Sequence, residues 1–419
     1  AGPDYTNSTL TGNPYPSAIN LNLFLLENSG YSINYTTGVP TFIGSPKIDG
    51  VAYFWEHNKT VLSHVLADYV GGYGEYVANN VDAFSLGTYA PAIWNTYNGD
   101  GTPNTSGVGT GSYYYRMFTP VGQGFVIKGV VPSPAFAEMK NSYRVFVKEG
   151  GMSTGSEFER NANEENSTET NDNWPAIPNL TGTDYTQFSK KLVSQIKIHT
   201  ILNNQFTRET ILAFNPNAND GFDYAFDATT QELNLPTDVY FPVIDNKQFV
   251  ISTIPFDITK RVPFAFKANE ASNYRVSVGN LINFDMAENI YLYDKETAIY
   301  HDIKNGFVDI SLPIGSVIDR FEITFLNETL NTATNTIFNF DVIHNNDNKK
   351  VIISNPNLLD INSVSLFDLT GKLIFNKEKL GAPATYEFSS AGLSDSVYII
   401  KIKTAENKEV NKKILIFKE

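Results

Sequence analysis

The chain has 419 residues and a formal net charge of −14, with no cysteine. That acidic balance leaves nothing in bulk to neutralise phosphates, which excludes a nucleic-acid binder, and the missing cysteines exclude disulfide staples and thiolate metal sites. No apolar run approaches the ~18 residues of a membrane span, and the first residues lack a basic stretch followed by an apolar one, so any export signal is expected to have been removed. At ~150 residues per domain the length fits about three domains. Aromatic residues at 13% of the chain favour pleated sheet over helical bundle.

In chain order, one helix is expected in the body. Val61, Leu62, Val65, Leu66 and Tyr69 share a helical face, Asn58 stands at the cap position and Gly71-Gly72 at the end. Residues 151–185 carry Glu157, Glu159, Glu164, Glu165, Glu169 and Asp172 among Asn, Ser, Thr and Gly. Such a segment buries too little surface to offset its ordering entropy, so it is expected to be an acidic solvated loop. Period-two alternation marks strands at Phe222-Tyr224-Phe226, Tyr274-Val276-Val278 and Phe321-Ile323-Phe325. Turn-forming clusters such as 215–221 separate such runs, and many short strands with frequent turns predict an all-β, jelly-roll or β-sandwich body. Its first sandwich is assigned to 1–150 and its second to 186–328, with a linker over 329–340.

Composition changes after that linker. Residues 341–419 hold 11 Lys, no Arg and 10 acids, a net of +1 that leaves −15 on the body. Strand candidates are dense there: 351–353, 364–369, 373–375, 397–402 and 414–417. About seven strands in so short a segment predict a small immunoglobulin-like sandwich.

Gly151-Met152-Ser153-Thr154-Gly155 fits the Gly-x-Ser-x-Gly elbow, but an acidic loop rather than a helix follows it, so a chance match is expected. His57, His64, His199, His301 and His344 show no zinc-ligand spacing, and no metal site is assigned. Asn215, Asn217, Asn219 and Asp220-Gly221 hint at calcium, but the EF-hand positions for Gly and Glu hold Asp220 and Phe226, so a plain turn is favoured. Tyr113-Tyr114-Tyr115, Trp94 and Trp55 are either sugar-stacking platforms or core, with core the commoner use in sheets. A pair of catalytic carboxylates cannot be picked out by spacing, because acids on different strands meet at any separation. No catalytic residue and no cofactor are assigned.

The tail carries a family likeness. Asn355-Pro356, the strand–turn–strand Leu366-Phe367-Asp368-Leu369-Thr370-Gly371-Lys372, the strand Val397-Tyr398-Ile399-Ile400-Lys401-Ile402 after Leu393, and the closing Lys412-Lys413-Ile414-Leu415-Ile416 together resemble the C-terminal sorting domain of type IX secretion cargo from Bacteroidota. Ser396 stands where that family has Gly, and Ile353-Ser354 where it usually has Tyr-Pro. Asp368 and Gly371 fit a tight hairpin on physical grounds as well, and a strand at a sheet edge can be captured by strand addition. In the body, Gly12-Asn13-Pro14-Tyr15-Pro16-Ser17, Gly122-Gln123-Gly124-Phe125-Val126-Ile127-Lys128 and Asp319–Phe325 resemble adhesin-like modules of large surface proteins in the same bacteria, over roughly 10–326. The resemblance implies a longer protein upstream of Ala1.

The resemblance implies a secreted, cell-surface adhesin-like protein that crosses the periplasm. Its tail is bound by the type IX outer-membrane translocon and shuttle barrel, with Asn355, Pro356, Asp368, Gly371, Lys372, Tyr398, Lys412, Lys413 and Ile414 as recognition residues. A surface sortase-like protease then cuts within the linker, where Asn331, Thr332, Thr334 and Asn335 lie, and the body is anchored to lipopolysaccharide or released. The body's expected contacts are surface polysaccharide, glycans or neighbouring cells. The competing readings are accessory β domains of a secreted hydrolase whose catalytic domain lies upstream, and a structural spacer.

Overall fold

A computed structural model of the chain describes residues 7–61, 63–79, 81–130, 136–150, 154–157, 172–230, 235–243, 247–327, 340–345, 348–356, 358–368, 371–405 and 409–416. The protein is all-β apart from one α-helix and short 3₁₀ turns among those residues, and it forms two compact units, 1–326 and 327–419.

The first unit opens with a seven-stranded sheet. Its strands run in the order Ser8–Gly12, Gly124–Lys128, Val51–His57, Val70–Val77, Ile93–Tyr97 and Pro103–Thr110, and Thr88–Ala90 also pairs with Val70–Val77. One face meets the helix Leu21–Asn28. There Ala52, Phe54, Tyr76, Phe125 and Ile127 pack with Leu21, Leu23, Phe24, Leu25 and Leu26. Every residue of this helix but Glu27 is buried, Asn22 and Asn28 included, so its apolar residues show no one-sided stripe, and Asn20 caps it by accepting from the Asn22 N–H at 3.0 Å.

The helix is not where amphipathic spacing predicts one. Around Val61–Tyr69 only the 3₁₀ turn Leu66–Asp68 forms, with Val65 and Leu66 exposed, and Gly71-Gly72 lie inside the Val70–Val77 strand. Gly71 and Gly72 are needed there because a Cβ would strike the Glu56 and Ile93 carbonyl oxygens. The second half of the expected solvated loop is also core. Trp174, Ile177 and Tyr185, with Phe188 just beyond the loop, are buried against the helix layer, and the Trp174 indole N–H donates to the Phe84 carbonyl at 2.9 Å. Glu157 is buried too, accepting from the Tyr115 N–H, while 158–171 lie outside the described residues.

The second half of this unit is a sandwich. A six-stranded sheet (Ala228–Thr229, Phe249–Ile254, Phe206–Phe214, Gln195–Leu202, Ser272–Ile282, Val308–Leu312) faces a five-stranded one (Asp238–Tyr240, Arg261–Ala268, Gly315–Thr324, Tyr291–Asp294, Ile299–Asp302). Between them lies a layer rich in phenylalanine, with Phe214, Phe241, Phe264, Phe266, Phe321 and Phe325. Each such side chain contributes about 1.5–3 kcal/mol by leaving water. The alternation at Tyr274 and Val276 and at Phe321 and Ile323 faces this layer as expected. Phe222–Phe226 does not form a strand: it is a turn in which Ala225 takes a φ of +65° and its N–H donates to the Asp49 carbonyl.

The two halves share a core. Val51, Tyr53, Val77 and Ala90 on the second face of the seven-stranded sheet pack with Ile211, Ala228, Val250 and Ile251. Gly50, at φ +87°, lies so close to Ala225 that a Cβ would overlap it. Lys128 enters this layer, its ammonium 4.4 Å above the Tyr53 ring and 3.0 Å from the Thr230 carbonyl, while the Tyr53 hydroxyl donates to Asp49 at 2.9 Å.

The second unit is a seven-stranded sandwich. In chain order its first, second and fifth strands (Asp341–Asn345, Lys350–Ser354, Thr385–Ser389) form one sheet. The fourth, third, sixth and seventh (Leu373–Gly381, Ile361–Asp368, Ser396–Thr404, Glu409–Ile416) form the other. That is an immunoglobulin-like order with the fourth strand on the opposite sheet. Val351, Ile353, Val364, Leu366, Tyr398, Ile400, Ile402, Ile414 and Ile416 fill its core.

Two predictions follow from buried charge. Arg208 and Asp238 join the two sheets of the body by a doubly hydrogen-bonded pair at 2.8 and 2.7 Å, exposed by only 1% and 0%. Asp238→Ala strands the guanidinium and is expected to cost about 3–5 kcal/mol in denaturant unfolding, whereas the double change Arg208→Met with Asp238→Leu recovers most of it. Burial also pushes Lys128 down to about 8, against the raising influence of Asp49 and Glu75. From about 8 to the ordinary 10.5 the unfolded chain therefore holds a proton that the folded one has released, and stability rises with pH across that window. Stability measured at stepped pH shows this slope in the native protein relative to Lys128→Met; equal slopes refute it.

Candidate functional site

The residues assigned to sorting all belong to the second unit, and they divide into framework and surface. Asn355 is completely buried. Its side-chain amide donates to the Leu359 and Pro383 carbonyls at 2.9 and 3.0 Å, its oxygen accepts from the Leu359 N–H at 3.0 Å, and its own N–H donates to the Ala384 carbonyl at 2.8 Å. It therefore ties the turn after the second strand to the start of the fifth. Pro356 beside it is exposed. Tyr398 and Ile414 face the core, with the Tyr398 hydroxyl donating to the Ser394 carbonyl at 3.0 Å. Ser396, which replaces the resemblance's Gly, opens a regular strand and needs no glycine-specific backbone.

Asp368, Gly371 and Lys372 form the tip of a hairpin. The Asp368 carboxylate accepts from the Lys372 N–H at 3.0 Å, the Asp368 carbonyl accepts from the Gly371 N–H at 3.0 Å, and Gly371 has φ +82°. Leu369 and Thr370 lie outside the described residues. Lys412 and Lys413 are exposed on Glu409–Ile416, which is paired on one side only, with Ser396–Thr404, among the described residues. Phe367, Leu373, Ile399 and Leu415 are at least partly exposed near these lysines in register, Ile399 opposite Lys413. Asn331, Thr332, Thr334 and Asn335 fall outside the described residues.

The body's other candidates resolve into structure. Among the described residues no group of three or more His, Asp or Glu is placed to hold a metal. His199 bonds Glu209 at 2.8 Å, and in the second unit His344 bonds Ser390 at 2.8 Å. Asn215 is buried in a turn where its side chain accepts from the Asn217 N–H. Gly151, Met152 and Ser153 lie outside the described residues. Tyr114 is buried with Arg116 stacked on it at 4.2 Å, Trp94 packs on Gly109, and Trp55 packs on Tyr73 and Tyr97. Glu56 is buried and accepts from the Tyr89 hydroxyl and the Ser112 N–H; burial raises its pKa.

One surface has no local sequence signal. On the outer face of the five-stranded sheet, Pro263, Glu322, Tyr293 and Tyr300 stand side by side on four neighbouring strands. Arg261 lies 4.7 Å above the Tyr293 ring, donates to Glu322 at 3.1 Å and to the Tyr300 hydroxyl at 2.7 Å, and Lys295 also pairs with Glu322 at 2.7 Å. Only the register of separate strands brings these residues together. A cleft of about 330 Å³ begins at Pro263 and Arg261, floored by Phe241, Ile254 and Val262.

The division of the tail residues is testable. Asn355→Ala leaves the part-buried Leu359 and Pro383 carbonyls and the Leu359 N–H without their side-chain partner and is expected to cost about 1–3 kcal/mol, whereas Lys412→Ala stays within about 0.5 kcal/mol. Unfolding of each variant in urea reads both values, and equal stabilities would refute the framework role of Asn355.

With this geometry in hand, comparison with known proteins gives the following. No curated protein matches the chain. The solved CupB2 chaperone of Pseudomonas aeruginosa is 12% identical over 54% of this chain and 88% of that one, with a TM-score of 0.14, a likeness that carries no argument. A family described as Domain of unknown function (DUF8694) matches residues 330–416. Residues 3–325 match Domain of unknown function (DUF8693), and with most of its length so matched the chain belongs to that family.

Proposed function

We propose that the protein is a secreted surface protein whose second unit is a type IX sorting signal and whose first unit makes adhesive contacts. The observation that carries this reading is the last strand of the second unit. Glu409–Ile416 buries Ile414 and Ile416, leaves one edge without a strand partner among the described residues, and presents Lys412 and Lys413 to solvent. An edge strand offers main-chain groups for augmentation by another protein, and lysines on it block indiscriminate pairing while allowing an acidic partner. The ordered likeness of Asn355-Pro356, the Asp368–Lys372 hairpin, the Tyr398 strand and the Lys412–Ile416 strand to the sorting family supports the same reading.

A signal of this kind acts by being recognised and needs no reaction chemistry. The framework residues hold the strand in shape, and the exposed ones meet the translocon and shuttle barrel. The segment before it, containing Asn331 and Thr334, is the proposed place for a sortase-like protease to act.

Deleting 341–419 is expected to leave the body in the periplasm of a host with type IX export, while the full chain reaches the surface in cell fractionation. Lys412→Glu with Lys413→Glu is expected to reduce export severalfold without unfolding the unit. A truncated chain found at the surface would overturn the assignment.

A further inference from the structure

We propose that the outer face of the five-stranded sheet, around Tyr293 and Tyr300, is a binding site for uncharged pyranose polysaccharides. This deepens the adhesive reading of the first unit and rests on it. The row Pro263, Glu322, Tyr293 and Tyr300 crosses four strands in register, so at ~4.8 Å per strand it spans about 14 Å, the length of a short oligosaccharide. The two tyrosine rings are half-buried with centroids 4.3 Å apart, and Tyr291 on the same strand adds a third ring 6.0 Å from Tyr300. A pyranose has an apolar C–H face and a rim of hydroxyls. Tyr300 lies against the Tyr293 ring at a 32° tilt and Arg261 sits over that ring, so the solvent-exposed part of the tyrosine cluster meets the first, and fixed hydrogen-bonding groups meet the second.

Those groups are already positioned. Arg261 is held by Glu322, the Tyr300 hydroxyl and the Tyr293 ring, so little side-chain freedom remains to be lost on binding. The charges are balanced as well: Lys260 pairs with Asp220, Arg261 and Lys295 share Glu322, and Arg320 pairs with both Asp294 and Glu296, so four cations meet four carboxylates. A polyanion would have to displace carboxylates from these cations, whereas a neutral hydroxyl can bond to the pairs as they stand. At the Pro263 end the row runs into the cleft floored by Phe241 and Ile254, whose 330 Å³ has room for a further ring or a branch.

The test is affinity electrophoresis of the full chain in gels containing a neutral β-glucan, xylan or galactomannan, with polygalacturonate as the anionic control. At least one neutral polymer is expected to retard the native protein. Tyr293→Ala with Tyr300→Ala is expected to weaken that retardation about tenfold. Because Arg261 leans on these rings, Glu322→Gln serves as a milder second variant, its fold checked by circular dichroism, and is expected to weaken binding severalfold. Retardation unchanged by either variant, retardation by polygalacturonate alone, or none by any neutral polymer overturns the site. Surface fractionation is scored separately, so a chain that reaches the surface yet ignores every polymer removes this site and leaves the sorting reading standing.

Discussion

The body is organised by a sheet that must bury both of its faces. Val51–His57 is an interior strand: Ala52 and Phe54 meet the helix layer, while Val51 and Tyr53 meet the second sandwich. Neither face can then be polar without a partner, which is why Tyr53 appears with Asp49 on its hydroxyl and Lys128 on its ring. Burial raises Asp49 and lowers Lys128, as expected for charges held away from water. The close approach of Gly50 to Ala225 comes from the same packing, because a side chain there would hold the two halves apart.

How much of this was legible depends on how many faces a strand buries. In the small tail sandwich the central strands bury one face, so alternation such as Ile400 and Ile402 against Ile399 and Lys401 marks them directly. The same rule reads Tyr274 and Val276 correctly. It fails at Leu21–Asn28, where a helix buried all round has no polar face to give it a period. It fails in the opposite sense at Val65 and Leu66, which stand at helical spacing yet stay exposed around a single 3₁₀ turn. Residues 172–185 look solvated by composition, yet Trp174, Ile177 and Tyr185 supply three large anchors to the core. A few well-placed aromatics outweigh the polar residues around them.

Turn chemistry was the other legible layer, and it separates fold from recognition. Asp368 and Gly371 close their hairpin as their residue types require, and Asn355 fills its pocket by satisfying three backbone groups. Of the residues assigned to the tail's motifs, Asn355 is spent on the fold, whereas Pro356, Lys372, Lys412 and Lys413 stand exposed and Glu409–Ile416 carries an edge without a strand partner among the described residues.

The aromatic residues divide by the same logic. Tyr53, Tyr76, Tyr89, Tyr114, Tyr143, Tyr185 and Tyr274 are buried in core layers, and the Tyr113–Tyr115 run, the most conspicuous cluster along the chain, packs around that core. Tyr291, Tyr293 and Tyr300 stand on the outer face of a sheet whose inner face is already filled by Phe264, Phe266 and Phe321. Cross-strand pairing of Tyr293 with Tyr300 steadies that outer face. The proposed site rests on what stands beside the pair, an arginine and a glutamate that hold each other in place. Sequence proximity could not reveal this, because Arg261, Tyr293, Tyr300 and Glu322 come from four strands and meet only once the register is set.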